Sequence, residues 1–212
     1  MTIDLVAFLD ESKKPVRNRA TGNVAGTGSF YVVAGVTTFD GEIQALREQI
    51  TKVEGGLGFE LHYGHLRTAN RRIRAVEAVA TITGWEASVF ESAEPIRTNG
   101  GGAEHRIRAK ALEAAFVYLG TDGGVDRAVL ETRSEPSEGF HQLDNKDHSV
   151  LQRLVAKDQV PGGFSISHAN KDEPLLKLAD VVAGARTDLL CGKGDECYAH
   201  LSHLVDKIEQ VR

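Results

Sequence analysis

The sequence predicts an α/β protein: a mixed five-stranded sheet with helices on both faces. Three observations predict it. Two apolar, β-branched stretches stand near the start with a polar, glycine-containing segment between them, the layout of an antiparallel pair. From residue 40 onward, helical and strand periodicities alternate, which places helices over the faces of a sheet. No repeat, low-complexity tract or long linker divides the 212 residues, a length that fits one domain over 1–212 with a sizeable core.

The elements follow in order. LVAFL, at residues 5–9, is apolar on both faces, so the strand predicted over 3–10 belongs at the centre of the sheet. KKPVRNRATGNVAGTG, 13–28, reads as a loop, and SFYVVAGVTT, 29–38, as a second strand antiparallel to the first. Asp40 can cap a helix running to about Val53, with Ile43, Leu46, Ile50 and Val53 at helical spacing and EGGLG closing it. A second helix is predicted over 66–83 and a strand over WEASVFES, 85–92. The glycines at 100–102 open a periodic helix ending near Leu119, and a strand follows at 125–133. Residues 145–157 read as a helix, and Pro161-Gly162-Gly163 leads into the short strand FSISH. A helix from Glu173 to Leu190 and another from about Cys197 close the chain.

Composition narrows the function classes. Hydrophobic residues at 41% and charged residues at 26% are ordinary for a globular protein, and no apolar run is long enough to span a bilayer. Asp4 and Asp10 bracket the first apolar run, unlike a signal peptide, so a cytoplasmic protein without membrane contact is expected. The net charge of -5 argues against a general nucleic-acid coat. Basic residues nevertheless cluster locally: Lys13, Lys14, Arg17 and Arg19; Arg67, Arg71, Arg72 and Arg74; Arg106, Arg108 and Lys110. Each run is either a solvated face or a patch for a polyanion handled through metal ions.

The informative residues are acids in confined settings. Asp10-Glu11 ends the first strand, Glu60 lies in FELHYGHLR beside His62 and His65, Glu131 follows Val129 and Leu130, and Asp180 interrupts the apolar helix LLKLADVVAGA. A carboxylate among apolar neighbours needs a partner, and several that converge need a cation. The alternatives stay open for each. Asp10 can close a strand in a solvated turn, and Glu131 can pair with Arg127 or Arg133. Asp180 points away from the stripe of Leu175, Leu178, Val182, Ala185 and Leu189, and so need not be buried. Other constellations fail on spacing. Cys191, Cys197, His200 and His203 miss the usual zinc patterns, and there is no phosphate-binding glycine loop or nucleophile elbow.

Five stretches, in order, resemble a bacterial and phage family known as domain of unknown function number thirty-eight hundred. They are Phe8-Leu9-Asp10-Glu11-Ser12, Tyr31-Val32-Val33-Ala34-Gly35-Val36, Glu60-Leu61-His62, Leu130-Glu131-Thr132-Arg133, and Leu176 to Gly184. The chain departs from the family pattern at Lys13, Glu131 and Lys177, where glycine, aspartate and glutamine are usual. The resemblance implies an RNase H-like fold in which Asp10, Glu60, Glu131 and Asp180 hold Mg²⁺ or Mn²⁺ and His62 moves a proton or positions water. It implies a metal-dependent nuclease acting on RNA or DNA. The alternative is a catalytically silent RNase H-like module that binds nucleic acid or a protein partner. A sugar or other phosphate hydrolase using paired carboxylates is a third reading, set back by a single Trp and an aromatic fraction of 6%. Oligomeric state and the choice between RNA and DNA stay open.

Overall fold

The computed structural model describes residues 4–17, 24–97, 101–132, 142–193 and 195–212. Its frame is a long antiparallel hairpin of β1 (Leu5–Arg17) and β2 (Val24–Phe39), in register from Leu5 opposite Phe39 to Pro15 opposite Ser29. The β-branched and aromatic run that predicted the second strand thus pairs along its whole length. β3 (Glu86–Ser92) lies antiparallel to β2, while β5 (Arg127–Glu131) and β6 (Ser165–Ala169) add parallel to β1 on the other side. The order is β6-β5-β1-β2-β3-β7, with β7 (Val205–Val211) parallel to β3 and β4 (Ile96–Arg97) pairing β2. In the core of this sheet only β2 runs against its neighbours. That strand order and those directions give the mixed RNase H-like fold, with seven strands among the described residues where five were expected.

Alternation along β1 divides the interior into two cores. Val6 and Phe8 join Val32, Ala34 and Val36 on one face, under α1 (Ile43–Leu57), α2 (Ala69–Ala80) and α5 (Pro174–Leu190). Ala7 and Leu9 join Tyr31, Val33 and Phe90 on the other, under α3 (Gly101–Gly120) and α4 (Gln142–Val155). The period of two in a strand forces this split, so consecutive residues of β1 enter different chemical environments.

Three expectations need correction. The segment 13–28 is not simply a loop: residues 13–17 and 24–28 extend the hairpin, whose polar sequence is compatible with strand because both arms pair with each other. The helix expected from Cys197 is only α6 (Asp195–Ala199), and the chain ends on β7. Leu201, Leu204, Val205 and Ile208 have helical spacing. An edge strand, however, needs few apolar residues, and Ile208 is left largely exposed. Third, α5 is buried nearly all round rather than along one stripe, with Ala183, Gly184 and Thr187 as enclosed as Leu178 and Val182. No helix among the described residues is long and apolar enough to cross a membrane.

Candidate functional site

β1 outruns its parallel neighbour. β5 pairs with Val6 to Leu9 only, and beyond that point β1 continues against β2 alone. Asp10 is the first residue past the end of this pairing, so it occupies the mouth left at the carboxyl end of the parallel strands, where sites of open α/β sheets gather. It is not, as expected from sequence, the last residue of its strand, which runs to Arg17. Asp10 is 8% exposed and shares the face of Val6 and Phe8. The Glu11 amide donates to its Oδ1 at 2.7 Å. Burial, then the negative charges of Asp180 and Glu131, hold its carboxyl well above the usual carboxylate range. Among the described residues no lysine or arginine pairs with it.

Asp180 comes to this mouth from α5 and is fixed from the opposite side. Its Oδ2 accepts the Tyr63 amide at 2.7 Å and stands 2.9 Å from His62 Nδ1. In a neutral imidazole the ring nitrogen that donates to a carboxylate carries the hydrogen and the other keeps its lone pair, which here makes Nδ1 the donor and Nε2 the free acceptor. The approach depends on Gly184, one turn on from Asp180. A Cβ there would lie 2.3 Å from the Tyr63 ring, which fills that space instead. A turn further, Asp188 accepts the Tyr63 hydroxyl and Arg72 Nη1, both at 3.1 Å, and pairs with Lys14 at 3.0 Å. The small residue Gly184 on α5 therefore serves to seat Tyr63 between two aspartates.

The remaining expected residues divide. Glu131 faces Asp10 and pairs with Lys171 at 3.3 Å; of the two expected arginines, Arg127 pairs with Asp40 and Arg133 lies outside the described residues. Glu60 reaches the rim of the same mouth but is turned outward, 61% exposed, to Lys177 at 3.1 Å. That ammonium holds the Glu60 carboxyl below its usual range. Together Asp10, Glu60, His62, Glu131 and Asp180 line one cleft of about 170 Å³, with His65, Lys171, Asp172 and Lys177 completing the wall. No group of three or more His, Cys, Asp or Glu among the described residues stands at metal-holding spacing. The donors are nonetheless oxygens of carboxylates, the chemistry that hard divalent cations take, and Asp10 is buried against like charge. Residue types fit such an ion; Glu60 stands at the rim, paired with Lys177.

Sequence reasoning missed the lysines of this cleft. Lys171 follows a strand end and Lys177 sits on the helix of Asp180, and only helical periodicity, placing 177 and 180 nearly one turn apart, could have signalled the second. It also missed the cluster behind the sheet. Glu11 points opposite to Asp10, into the core under α3 and α4, where Arg108 Nε donates to it at 2.9 Å. Arg108 also binds Asp147 through both terminal nitrogens, and His168 Nε2 lies 3.2 Å from Asp147. Burial raises the Asp147 carboxyl, but the hydrogen bonds from His168 and Arg108 outweigh it and leave it below the usual range. The basic runs are thus partly absorbed: Arg108, Arg72 and Lys14 are internal partners of acids. Arg71 and Arg74 lie 5.5 Å over the Phe59 ring at the surface. Cys191 and Cys197 are buried free thiols that burial pushes up, unlike zinc-bound thiolates.

A larger cleft, about 540 Å³, opens at the opposite end of the sheet between Leu5, Phe39, Trp85 and Tyr118. Its acids, Glu42, Glu86 and Asp206, are separate and exposed. Convergence of titratable groups, not volume, selects the smaller cleft.

No protein-family model matches the chain, and no curated protein does. Solved structures do. The ribonuclease H2 from Pyrococcus horikoshii OT3 is 14% identical, with a TM-score of 0.48 over 87% of this chain and 72% of that one. RNase HII in the PCNA:RNase HII complex from Archaeoglobus fulgidus is 17% identical, with a TM-score of 0.44 over 92% and 80%. The fold assignment rests on the strand order and directions rather than on these scores.

Proposed function

We propose that the chain is a metal-dependent nuclease of RNA or DNA, with Asp10, Glu131 and Asp180 as ligands of Mg²⁺ or Mn²⁺ and Glu60 as a further one. The observation that carries this reading is the burial of Asp10 against two other carboxylates with no lysine or arginine upon it among the described residues. Three acids so placed are costly in the metal-free protein, and a divalent ion is the simplest partner that relieves them. When bound, such an ion supplies Lewis-acid stabilisation of phosphoryl oxygens and an acidified water.

The chain's own residues divide the remaining work. Asp180 fixes the His62 tautomer, so Nε2 is the atom that takes a proton from water or returns one to the leaving oxygen. Tyr63, wedged on Gly184, keeps Asp180 and His62 in one orientation. Lys171 at the rim, with Arg71 and Arg74 over Phe59 and the neighbouring Arg67, offers charge to a phosphate backbone. The resemblance to the family of unknown function supports the same assignment of Asp10, Glu60, His62, Glu131 and Asp180.

The pairing of Glu60 with Lys177 favours a second reading, a catalytically silent module that binds nucleic acid or a protein partner. A cleavage assay with Mn²⁺ or EDTA on labelled RNA and DNA, beside a binding titration, separates the two. The nuclease reading predicts cleavage that is lost with EDTA and with Asp10→Asn. Cleavage surviving both contradicts it. Binding without cleavage, weakened by removing Arg67, Arg71 and Arg74 but not by Asp10→Asn, supports the silent module.

A further inference from the structure

We propose that Lys177 is a built-in cation latch that holds the Glu60 carboxylate at the rim of the cleft, paired to its own ammonium, and so sets how tightly the cleft takes a divalent metal. The inference rests on the metal-site reading above and deepens it. Lys177 Nζ lies 3.0 and 3.3 Å from the two oxygens of Glu54 and 3.1 Å from Glu60 Oε1. Glu54 is a fixed anchor, because its Oε1 also accepts the Leu61 amide at 2.7 Å. The Lys177 side chain is 13% exposed and Glu54 21%. Glu60 alone is mostly in solvent, so it is the arm that can turn.

Placement decides where that arm could go. Lys177 is three residues before Asp180 on α5, and both line the cleft together with Asp10, Glu60 and Glu131. With Lys177 seated between Glu54 and Glu60, one carboxylate of the cleft is occupied and one positive charge stands at its wall. Both disfavour an incoming cation. Releasing the latch adds a carboxylate to the donor set and removes a repelling charge, and metal affinity follows ligand charge count. Lys171 on Glu131 is a weaker counterpart: that lysine is 62% exposed, and solvent screens the pair.

A purely structural role for Lys177, pinning the 58–62 segment to α5, makes the opposite prediction, since loosening the segment would leave metal affinity unchanged or lower. The test is a Mn²⁺ titration of the full chain, by calorimetry and by the loss of free-ion signal in electron paramagnetic resonance. It compares wild type, Lys177→Met, Glu60→Gln and the double variant, each checked for folding by thermal unfolding. Lys177→Gln, which keeps a donor to Glu54, replaces Lys177→Met if the latter does not fold. The latch predicts Mn²⁺ bound about tenfold more tightly by the Lys177 variant, the scale on which groups next to a metal site act. It also predicts that Glu60→Gln costs far more affinity in that variant than with Lys177 present. Equal affinity in wild type and Lys177 variant, or an equal cost of Glu60→Gln in both backgrounds, overturns the latch and leaves the metal site standing. No Mn²⁺ uptake by any of the four overturns both.

Discussion

Asp10 and Glu11 are neighbours in the chain and opposites in the fold. Asp10 turns to the face of α5 and meets two more carboxylates; Glu11 turns to the face of α3 and α4 and meets Arg108. In the rear cluster Arg108 sits between Glu11 and Asp147, 2.8 Å from the one and 3.0 Å from the other, with His168 beyond. In the front cluster Lys171 and Lys177 reach only the rim, on Glu131 and Glu60, and among the described residues no lysine or arginine meets Asp10. A protein stabilises itself with arrangements of the first kind and retains the second kind only where something else supplies the missing charge. The contrast separates scaffold from candidate site within one dipeptide.

Breaking the rear should cost most. Arg108→Met leaves Glu11 and Asp147 buried without their cation and should lower stability by about 3–5 kcal/mol in urea unfolding. A smaller loss would show that the cluster relaxes or admits water. Gly184→Ala comes next. The added methyl meets the ring of Tyr63, whose amide donates to Asp180 and whose hydroxyl donates to Asp188, and overpacking of this kind costs about 1–3 kcal/mol. The double variant Gly184→Ala with Tyr63→Leu should recover part of that loss if the clash is its cause.

The smallest effect has the opposite sign. Asp10→Asn removes a buried charge repelled by Asp180 and Glu131, and should raise the stability of the metal-free protein by about 1 kcal/mol or less at neutral pH. The pH dependence sharpens the contrast. Asp10 has a folded value raised above its ordinary one, so its contribution is fully present below the ordinary carboxylate range and is lost as pH rises through the raised value. Asp147 has a depressed folded value, so its contribution is present above the ordinary range and is lost as pH falls through the depressed one. Urea titrations from acid to neutral pH should therefore show the Asp10→Asn advantage growing with pH, and an Asp147→Asn penalty shrinking toward acid.

Much of this was legible in the sequence, for definable reasons. Long periodic segments declared themselves: the run from Glu173 to Leu190 and the strand at 29–38 stand where periodicity put them. Acids flanked by apolar residues marked Asp10, Glu131 and Asp180, because burial of charge is improbable without cause. What sequence could not show was direction and pairing. Nothing in Asp10-Glu11 says how far β1 extends, since that depends on β2 running beside it to Ser29 and beyond. Glu60 reads like the other acids, and only the fold brings Lys177 to it across more than a hundred residues. Arg108 reads as one more surface cation in a periodic helix, because its partners come from β1 and α4. The closing strand was misread since an edge strand carries too few buried residues to show its period.

The most direct test of the central claim is a crystal of the protein soaked in Mn²⁺ and measured at the manganese edge. The account predicts an anomalous peak bounded by the carboxylates of Asp10, Glu131 and Asp180, and no such peak in Asp10→Asn. A Mn²⁺-saturated crystal with no peak in that cleft, or with the ion bound elsewhere and the Asp10→Asn variant unchanged, would contradict it.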